Sequence, residues 1–417
     1  MKSIAILAAA LCCAAQAAAP LSFQQALDLA EREAPTLALT TARIEASRQA
    51  ARSAGELPDP KLSLGIENLP IAGPERYSLR REGMTMQRLA WMQELPSGAK
   101  RAARVAVAEA RIERAEAEQA LARVLARREA GLAWIQRRTL ENQLAQLQAL
   151  EQENQLFQSA VQAQLQGGKG MAADALMPRQ EAAMLAERRD ELEARRAQAV
   201  AQLRRWVGPA AAEALAGDLP AWQPQPEALH QRLHQHPEFR TVDAMAKTLD
   251  AEVREASAMK QPDWGVELAY QRRGPGFGDM VSVMFSVDLP LFPKSRQEPQ
   301  IAAKLAERRA VDAEREAMRR EHEQMLAADL AEWQRLQRAV ARARGELLSL
   351  AEQRIALTLA AYRSGRASLT EVVAARRERA ELLLKAIAME GERDAMAARL
   401  QLTTAPEPTD VQPGAQP

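Results

Sequence analysis

The chain repeats itself once. The segment from Leu27 to Ala34-Pro35 is answered by Leu229 to His236-Pro237, Pro58-Asp59 by Pro262-Asp263, and Glu94-Leu95-Pro96 by Asp288-Leu289-Pro290. Farther on, Gly168, Asp174 and Arg179-Gln180-Glu181 match Gly365, Glu371 and Arg376-Arg377-Glu378 at one common offset, so no gap intervenes. A repeat this long with only two units is a duplicated half, not a short-period solenoid. Each copy reads in the same order: short helix, two strands, very long helical hairpin. The first copy spans 20–208, a linker 209–225 and the second copy 226–404.

Residues 1–19 read as a secretory signal with cleavage near 17–19. Lys2 supplies the charged start, Ile4 to Cys13 the short apolar stretch, and Ala15-Gln16-Ala17 the cleavage pattern. Both cysteines, Cys12 and Cys13, fall inside it, so the exported chain is expected to carry neither a disulfide nor a lipid anchor. The Pro- and Gly-rich tail at 405–417 reads as disordered. Lys+Arg 56 against Asp+Glu 55 leaves almost no net charge, which argues against a nucleic-acid partner. Beyond the signal there is no run of about 18 apolar residues, so no helix is expected to cross a bilayer. An exported chain of this kind either stays outside the membrane or enters it as a barrel, and the strands decide between the two.

Four segments carry strand patterns, at about 61–69, 84–95, 264–271 and 280–289. In the first, Leu62, Leu64 and Ile66 alternate with Ser63, Gly65 and Glu67. In the second, Met84 and Met86 stand against Thr85 and Gln87, with Arg88 spoiling the apolar face. Val266, Leu268 and Tyr270 form the third row. The fourth, Val281, Val283, Phe285, Val287 and Leu289, is the cleanest. Each segment is about ten residues, the length a tilted strand needs to cross a membrane. Trp91, Trp264, Tyr270 and Phe292 stand near strand ends, where interfacial aromatics belong. Two soluble hairpins packed on helices would share this pattern. Four strands alone cannot close a membrane barrel, because open edges in lipid leave backbone groups unpaired. Membrane strands here therefore require several chains in one barrel.

The hairpins are expected at about 99–207 and 300–402. From Ala99 to Leu165 there is no proline and a single glycine, Gly131, amid Ala, Leu, Glu, Gln and Arg. Such a rod is on the order of 100 Å long and suggests coiled-coil packing. Leu140, Leu144 and Leu147, or Leu347, Leu350 and Ile355, have seam-like spacing. The charges mostly read as a solvated face of Glu–Arg pairs.

At this point the chain resembles the TolC-like family, the outer-membrane channel component of tripartite efflux pumps and type I secretion systems. The resemblance rests on the helices ending in Ala34-Pro35 and His236-Pro237, and on the passages Gln93-Glu94-Leu95-Pro96-Ser97-Gly98 and Asp288-Leu289-Pro290-Leu291-Phe292. It rests also on the tip Tyr362-Arg363-Ser364-Gly365 with Leu369-Thr370-Glu371-Val372-Val373. It covers about Leu21 to Thr404. It implies a mainly α fold with a small β part, in which a homotrimer closes a twelve-stranded outer-membrane barrel above a long α-helical periplasmic tunnel. The implied partners are a periplasmic adaptor, an inner-membrane pump of the resistance-nodulation-division type and outer-membrane lipid, in a Gram-negative bacterium. The passages at Leu95-Pro96 and Leu289-Pro290 look most like the heavy-metal branch. A drug or type I secretion channel is the alternative cargo class, and an exported coiled-coil scaffold the alternative kind of protein.

The resemblance places a periplasmic gate at Asp174, Tyr362, Arg366 and Glu371, and adaptor-contacting tips at Gly167, Gly168, Lys169, Ser364 and Gly365. Two departures stand out: Ala374 occupies the place of a second acid, and the basic residue is displaced to Arg366. Asp174 and Glu371 would equally serve as helix caps after the glycine turns. His230, His234 and His236 form H-x3-H-x-H, but no third ligand is evident, and no metal or cofactor site is assigned. Met84, Met86 and Met92 read as wall or lipid-facing residues rather than copper ligands. His322-Glu323 is followed by Leu326 where a zincin needs histidine, and no catalysis is expected.

Overall fold

The computed structural model describes residues 20–168 and 171–403; the expected signal, the tip residue Lys169 and the expected disordered tail lie outside the described residues. In chain order the elements begin with β1 (Leu21–Ser22), α1 (Phe23–Glu33), α2 (Pro35–Ser53), β2 (Lys61–Glu67), β3 (Met86–Leu95) and α3 (Gly98–Gln166). They continue with α4 (Leu176–Val207), β4 (Leu215–Ala216), α5 (Pro226–Leu233), α6 (Pro237–Ala258), β5 (Asp263–Arg273) and β6 (Met280–Asp288). The last are α7 (Gln297–Arg342), α8 (Leu348–Arg363) and α9 (Leu369–Gln401). The order repeats as the sequence does.

Two details differ from the sequence reading. Each copy opens on two helices, not one, because proline pushes the preceding residue out of the helical region. Ala34 before Pro35 has φ −59° and ψ 127°, and His236 before Pro237 has φ −56° and ψ 133°. The outgoing rod of the second hairpin is also interrupted, by a π turn at Ala343–Leu347 that separates α7 from α8. Arg344 within that turn makes a two-pronged pair with Glu390, at 2.6 and 2.8 Å.

The chain divides into two compact units, each assembled from both copies. The first comprises Met1–Leu37, Arg123–Gln231 and Met325–Pro417. Its α1 is held by a reciprocal cap: Ser22 Oγ accepts from the Gln25 N–H, and Gln25 Oε1 accepts from the Ser22 N–H. Phe23 packs edge-on against both Trp134 and Trp222, and the Trp134 indole donates to the Leu21 carbonyl at 3.1 Å. Arg137 is buried, with its donors spent on Glu141 and on the carbonyls of Ala211 and Glu213. The expected seam forms where Leu140 and Leu147 meet Leu192, Ala199 and Leu384, with Leu144 alongside. Of the second expected seam, Ile355 is partly buried while Leu347 and Leu350 are exposed in the single chain, as is Leu357.

The second unit comprises Ala38–Ala122 and Arg232–Gln324. Small and medium side chains set its core: Val107 and Ala110 on α3 against Ala251 on α6, and Val242 and Leu249 on α6 against Val311 on α7. Charged pairs flank these contacts. Glu252 on α6 accepts from Arg111 on α3 at 3.1 Å and from Lys304 on α7 at 2.9 Å. Burial pushes the Glu252 carboxyl up, but the hydrogen bonds and charges of Lys304 and Arg111 outweigh it and hold the group below its ordinary 4.5. A carboxyl depressed in the folded state stabilises the fold above the unfolded value, and that contribution is lost as pH falls through the folded value. Glu252→Gln is therefore expected to lower the Tm near pH 7 and to lose this difference in more acidic buffer. Paired melting curves from about pH 7 to about pH 3 check it. A gap that stays constant across that range would refute the role of Glu252.

Candidate functional site

The second unit carries one antiparallel sheet in the order β2-β3-β5-β6. Each copy contributes a hairpin, and the two join through β3 and β5, from Met86 opposite Arg273 to Leu95 opposite Trp264. Because side chains alternate along a strand and cross-strand partners share a face, the register sorts the sheet into two surfaces. One row runs Leu62, Trp91, Leu268, Val283; the next runs Leu64, Leu89, Tyr270, Val281. Ile66, Val266, Phe285, Trp264, Leu95 and Val287 belong to the same surface. Nearly all of it is exposed, Leu64 at 79% and Phe285 at 70%.

The opposite surface carries Ser63, Gly65 and Glu67, then Arg88, Ala90 and Glu94, then Glu267, Ala269 and Gln271, then Ser282, Ser286 and Asp288. Arg88 stands at its middle, paired with Glu67 at 3.2 Å and with Glu267. The sequence reading put the apolar face of β3 on Met84 and Met86. That is corrected here: Met86 and Met92 share the polar surface with Arg88, Met84 precedes the strand, and the apolar row of β3 is Leu89, Trp91 and Leu95. The sheet has two unpaired edges, β2 and β6.

The hairpin tips lie in the first unit. After α8, Gly365 takes φ +73°, its N–H donates to Tyr362 O at 3.0 Å, and the Arg366 N–H donates to Ala361 O at 2.9 Å. This is the Schellman arrangement, in which a glycine accepts the left-handed conformation and the orphan carbonyls are satisfied. Gly168 has the same φ of +73°, and its N–H donates to Leu165 O. Nothing crowds either glycine, so turn geometry alone requires them.

Of the four candidate gate residues, none bonds directly to another within the chain. Asp174 Oδ2 accepts from the Met171 N–H at 2.9 Å, which is the capping behaviour its position allows. Tyr362 Oη donates to Gln164 Oε1 at 3.0 Å, tying the second hairpin to the first, and Thr370 meets Met177 beside it. Arg366 Nε donates to Ser364 Oγ. The Glu371 N–H is capped by Ser368 Oγ at 3.3 Å, while its carboxylate is exposed and has no partner among the described residues. Gly167, Gly168, Ser364 and Gly365 are all exposed at the tips.

The sequence reading missed a neighbouring cluster. Arg376 on α9 lies over the Phe157 ring at 4.6 Å and pairs with Glu153 at 3.2 Å. Glu181 on α4 is partly buried nearby; burial pushes its carboxyl up, Arg376 draws it down and Glu153 pushes it up again, with a net rise. Only the match of Arg179-Gln180-Glu181 to Arg376-Arg377-Glu378 in the two copies hinted that these positions matter. Of the three histidines at the start of the second copy, His230 Nδ1 lies 2.7 Å from the Pro226 carbonyl, whereas His236 is buried beside His322.

No family model and no curated protein matches the chain. Solved structures do. The outer membrane protein VceC of Vibrio cholerae is 18% identical with a TM-score of 0.73, covering 91% of this chain and 95% of that one. The CmeC outer membrane channel of Campylobacter jejuni is 11% identical with a TM-score of 0.71, covering 91% and 85%. The MtrE outer membrane channel of Neisseria gonorrhoeae, in its open state, is 14% identical with a TM-score of 0.70, covering 91% and 88%. The chain has the fold of these structures.

Proposed function

We propose that this chain, which shares its fold with outer-membrane channels, is itself one subunit of a trimeric outer-membrane duct in a tripartite efflux system. The observation that carries this reading is the sheet. Four antiparallel strands expose an apolar surface on one side and two unpaired edges. In water such edges invite aggregation, and in lipid every unpaired backbone group costs several kcal/mol. Edge β6 pairing with edge β2 of an identical neighbour removes both penalties, and three copies give a twelve-stranded barrel whose outer surface is the apolar one. β3, β5 and β6, of 9–11 residues, suit that span, and β2, of 7 residues, is the short one. Leu347, Leu350 and Leu357, exposed in the single chain, are available to the same neighbours. A coiled-coil scaffold that never enters a membrane has no use for the exposed apolar sheet. Fractionation separates the two: a heat-resistant trimer in the outer membrane supports the duct, and a soluble elongated monomer refutes it.

The trimer turns each tip carboxylate into a ring. Asp174 and Glu371 then set a negative mouth that attracts cations, and Tyr362 and Arg366 supply the donors that hold neighbouring hairpins closed. A periplasmic adaptor docking on Gly167, Gly168, Ser364 and Gly365, together with Lys169, pulls them apart, driven by an inner-membrane pump. Asp174→Ala and Tyr362→Phe are each expected to raise single-channel conductance in planar bilayers severalfold. Wild-type conductance in both variants removes the gate assignment while leaving the duct untouched.

Heavy-metal cations are the cargo favoured by the Leu95-Pro96 and Leu289-Pro290 passages. Deleting the gene is expected to sensitise cells to zinc, cobalt, cadmium or copper. Lost drug tolerance with unchanged metal tolerance assigns the duct to the drug-exporting class instead.

A further inference from the structure

Within the second unit, His236 and Glu238 at the start of α6 meet His322, which lies 84 residues beyond Glu238 in the sequence. Pro237 forces His236 out of the helical conformation, so its ring turns back over the helix N-terminus, where Nδ1 accepts from the Glu238 N–H at 3.2 Å. His322, on α7, reaches the same point and sets Nε2 at 2.6 Å from Glu238 Oε2. The two imidazole rings lie 4.3 Å apart between centroids. Both are nearly excluded from water, at 3% and 8% exposure. Phe239 closes one side, 5.5 Å from the His322 ring, and Arg315 stacks over Phe239. A donor atom from each of His236, Glu238 and His322 lies within 4.8 Å of the other two, the one such group among the described residues.

We infer that His236, Glu238 and His322 form a binding site for a divalent transition cation of the zinc class, bound by two imidazole nitrogens and one carboxylate oxygen with a fourth position open. The geometry is close to what ligation needs. A tetrahedral ion at about 2.0–2.1 Å from each donor sets neighbouring donors about 3.3 Å apart. Glu238 Oε2 now stands 2.6 Å from His322 Nε2 and 3.9 Å from His236 Nδ1. Those two contacts must open and close by less than an ångström each, and the two imidazole donors, which lie within 4.8 Å of one another, must also approach. The ion replaces the hydrogen bond between His322 and Glu238 and displaces the contact between the Glu238 N–H and His236. Two imidazoles beside a single carboxylate favour zinc, copper or nickel over magnesium or calcium, which take oxygen donors. The ion would pin the first turn of α6 to α7. This site is independent of the gate and of the nature of the cargo.

The test uses the purified full chain in detergent, stripped by a chelator and titrated with zinc chloride against a competing chromophoric chelator. One zinc per chain is expected, with a raised melting temperature that magnesium and calcium do not reproduce. His322→Gln and Glu238→Gln are expected to lose the tight site, and His230→Ala and His234→Ala to keep it. Zinc-edge X-ray absorption on the unmodified protein gives a readout that needs no variant, with scattering from two imidazoles expected. Substoichiometric zinc, absent imidazole scattering, or an undiminished site in a folded His322→Gln protein would each overturn the proposal and leave the cluster as a buried hydrogen-bonded latch.

Discussion

Val283→Arg is expected to abolish the proposed outer-membrane trimer, while Ser282→Arg, one residue away, leaves it in place. The contrast follows from the period of two along β6. Val283 belongs to the row Leu62, Trp91, Leu268, Val283 and is 58% exposed on the apolar surface. Ser282 faces the other way, where its hydroxyl donates to Gln271 at 3.2 Å. An arginine on the lipid face of a barrel near the bilayer midplane costs about 2–4 kcal/mol. A trimer carries the substitution three times, so the total rivals the whole stability of an ordinary domain, about 5–15 kcal/mol. Arginine on the polar surface meets water and pays no such penalty. Heat-modifiable mobility of the trimer in outer-membrane fractions reads both variants. Equal survival or equal loss of the two would mean that the apolar surface does not face lipid.

Gly391→Ala is expected to lower the melting temperature, although helix propensity alone argues the opposite. Gly391 lies in the interior of α9, where alanine is normally favoured by about 1 kcal/mol. Here α9 crosses α3 so closely that a Cβ at position 391 would stand 2.1 Å from Thr139 Oγ1 and 2.8 Å from Thr139 Cβ. The Thr139 hydroxyl is already engaged with the Ile135 carbonyl, so rotating it away breaks a hydrogen bond without clearing the Cβ. Overpacking of this kind costs about 1–3 kcal/mol, which exceeds the propensity gain. The double variant Thr139→Ala, Gly391→Ala removes the hydroxyl and methyl in the way but keeps the Thr139 Cβ at 2.8 Å, and should recover part of the loss. Thermal melts of the two single variants and the double one measure that coupling. A stabilised Gly391→Ala would show that the two helices part freely.

The features legible beforehand were those whose signal is local. The duplication, the strand hairpins and the Gly168 and Gly365 turns were all in plain view, because alternation and left-handed turns are written in adjacent residues. Ala34-Pro35 announced a break, though not that a second helix would start at Pro35 itself. The face of β3 was misread for a physical reason. Gln87 and Gln93 dilute its apolar row, and Arg88 looks misplaced until Glu67 and Glu267 arrive from neighbouring strands. At the tips, Asp174 and Tyr362 drew attention as candidate gate residues, but the partners they hold, Met171 and Gln164, follow from the turn and from hairpin docking. His236 stood out only within H-x3-H-x-H, grouped with the wrong histidines, since its true neighbour His322 is 84 residues along the chain from Glu238.

By itself the sequence determined the long helices and strand hairpins, their twofold order and the Gly168 and Gly365 turns, since backbone propensity and side-chain period act over a few residues. Only the tertiary structure decided which strand meets which, and so which surface of the sheet is apolar. It alone brought the distant charges and imidazoles into contact. Those outcomes depend on register and helix crossing, where one residue of slip exchanges the two faces of a strand, and nothing short of long-range pairing specifies them.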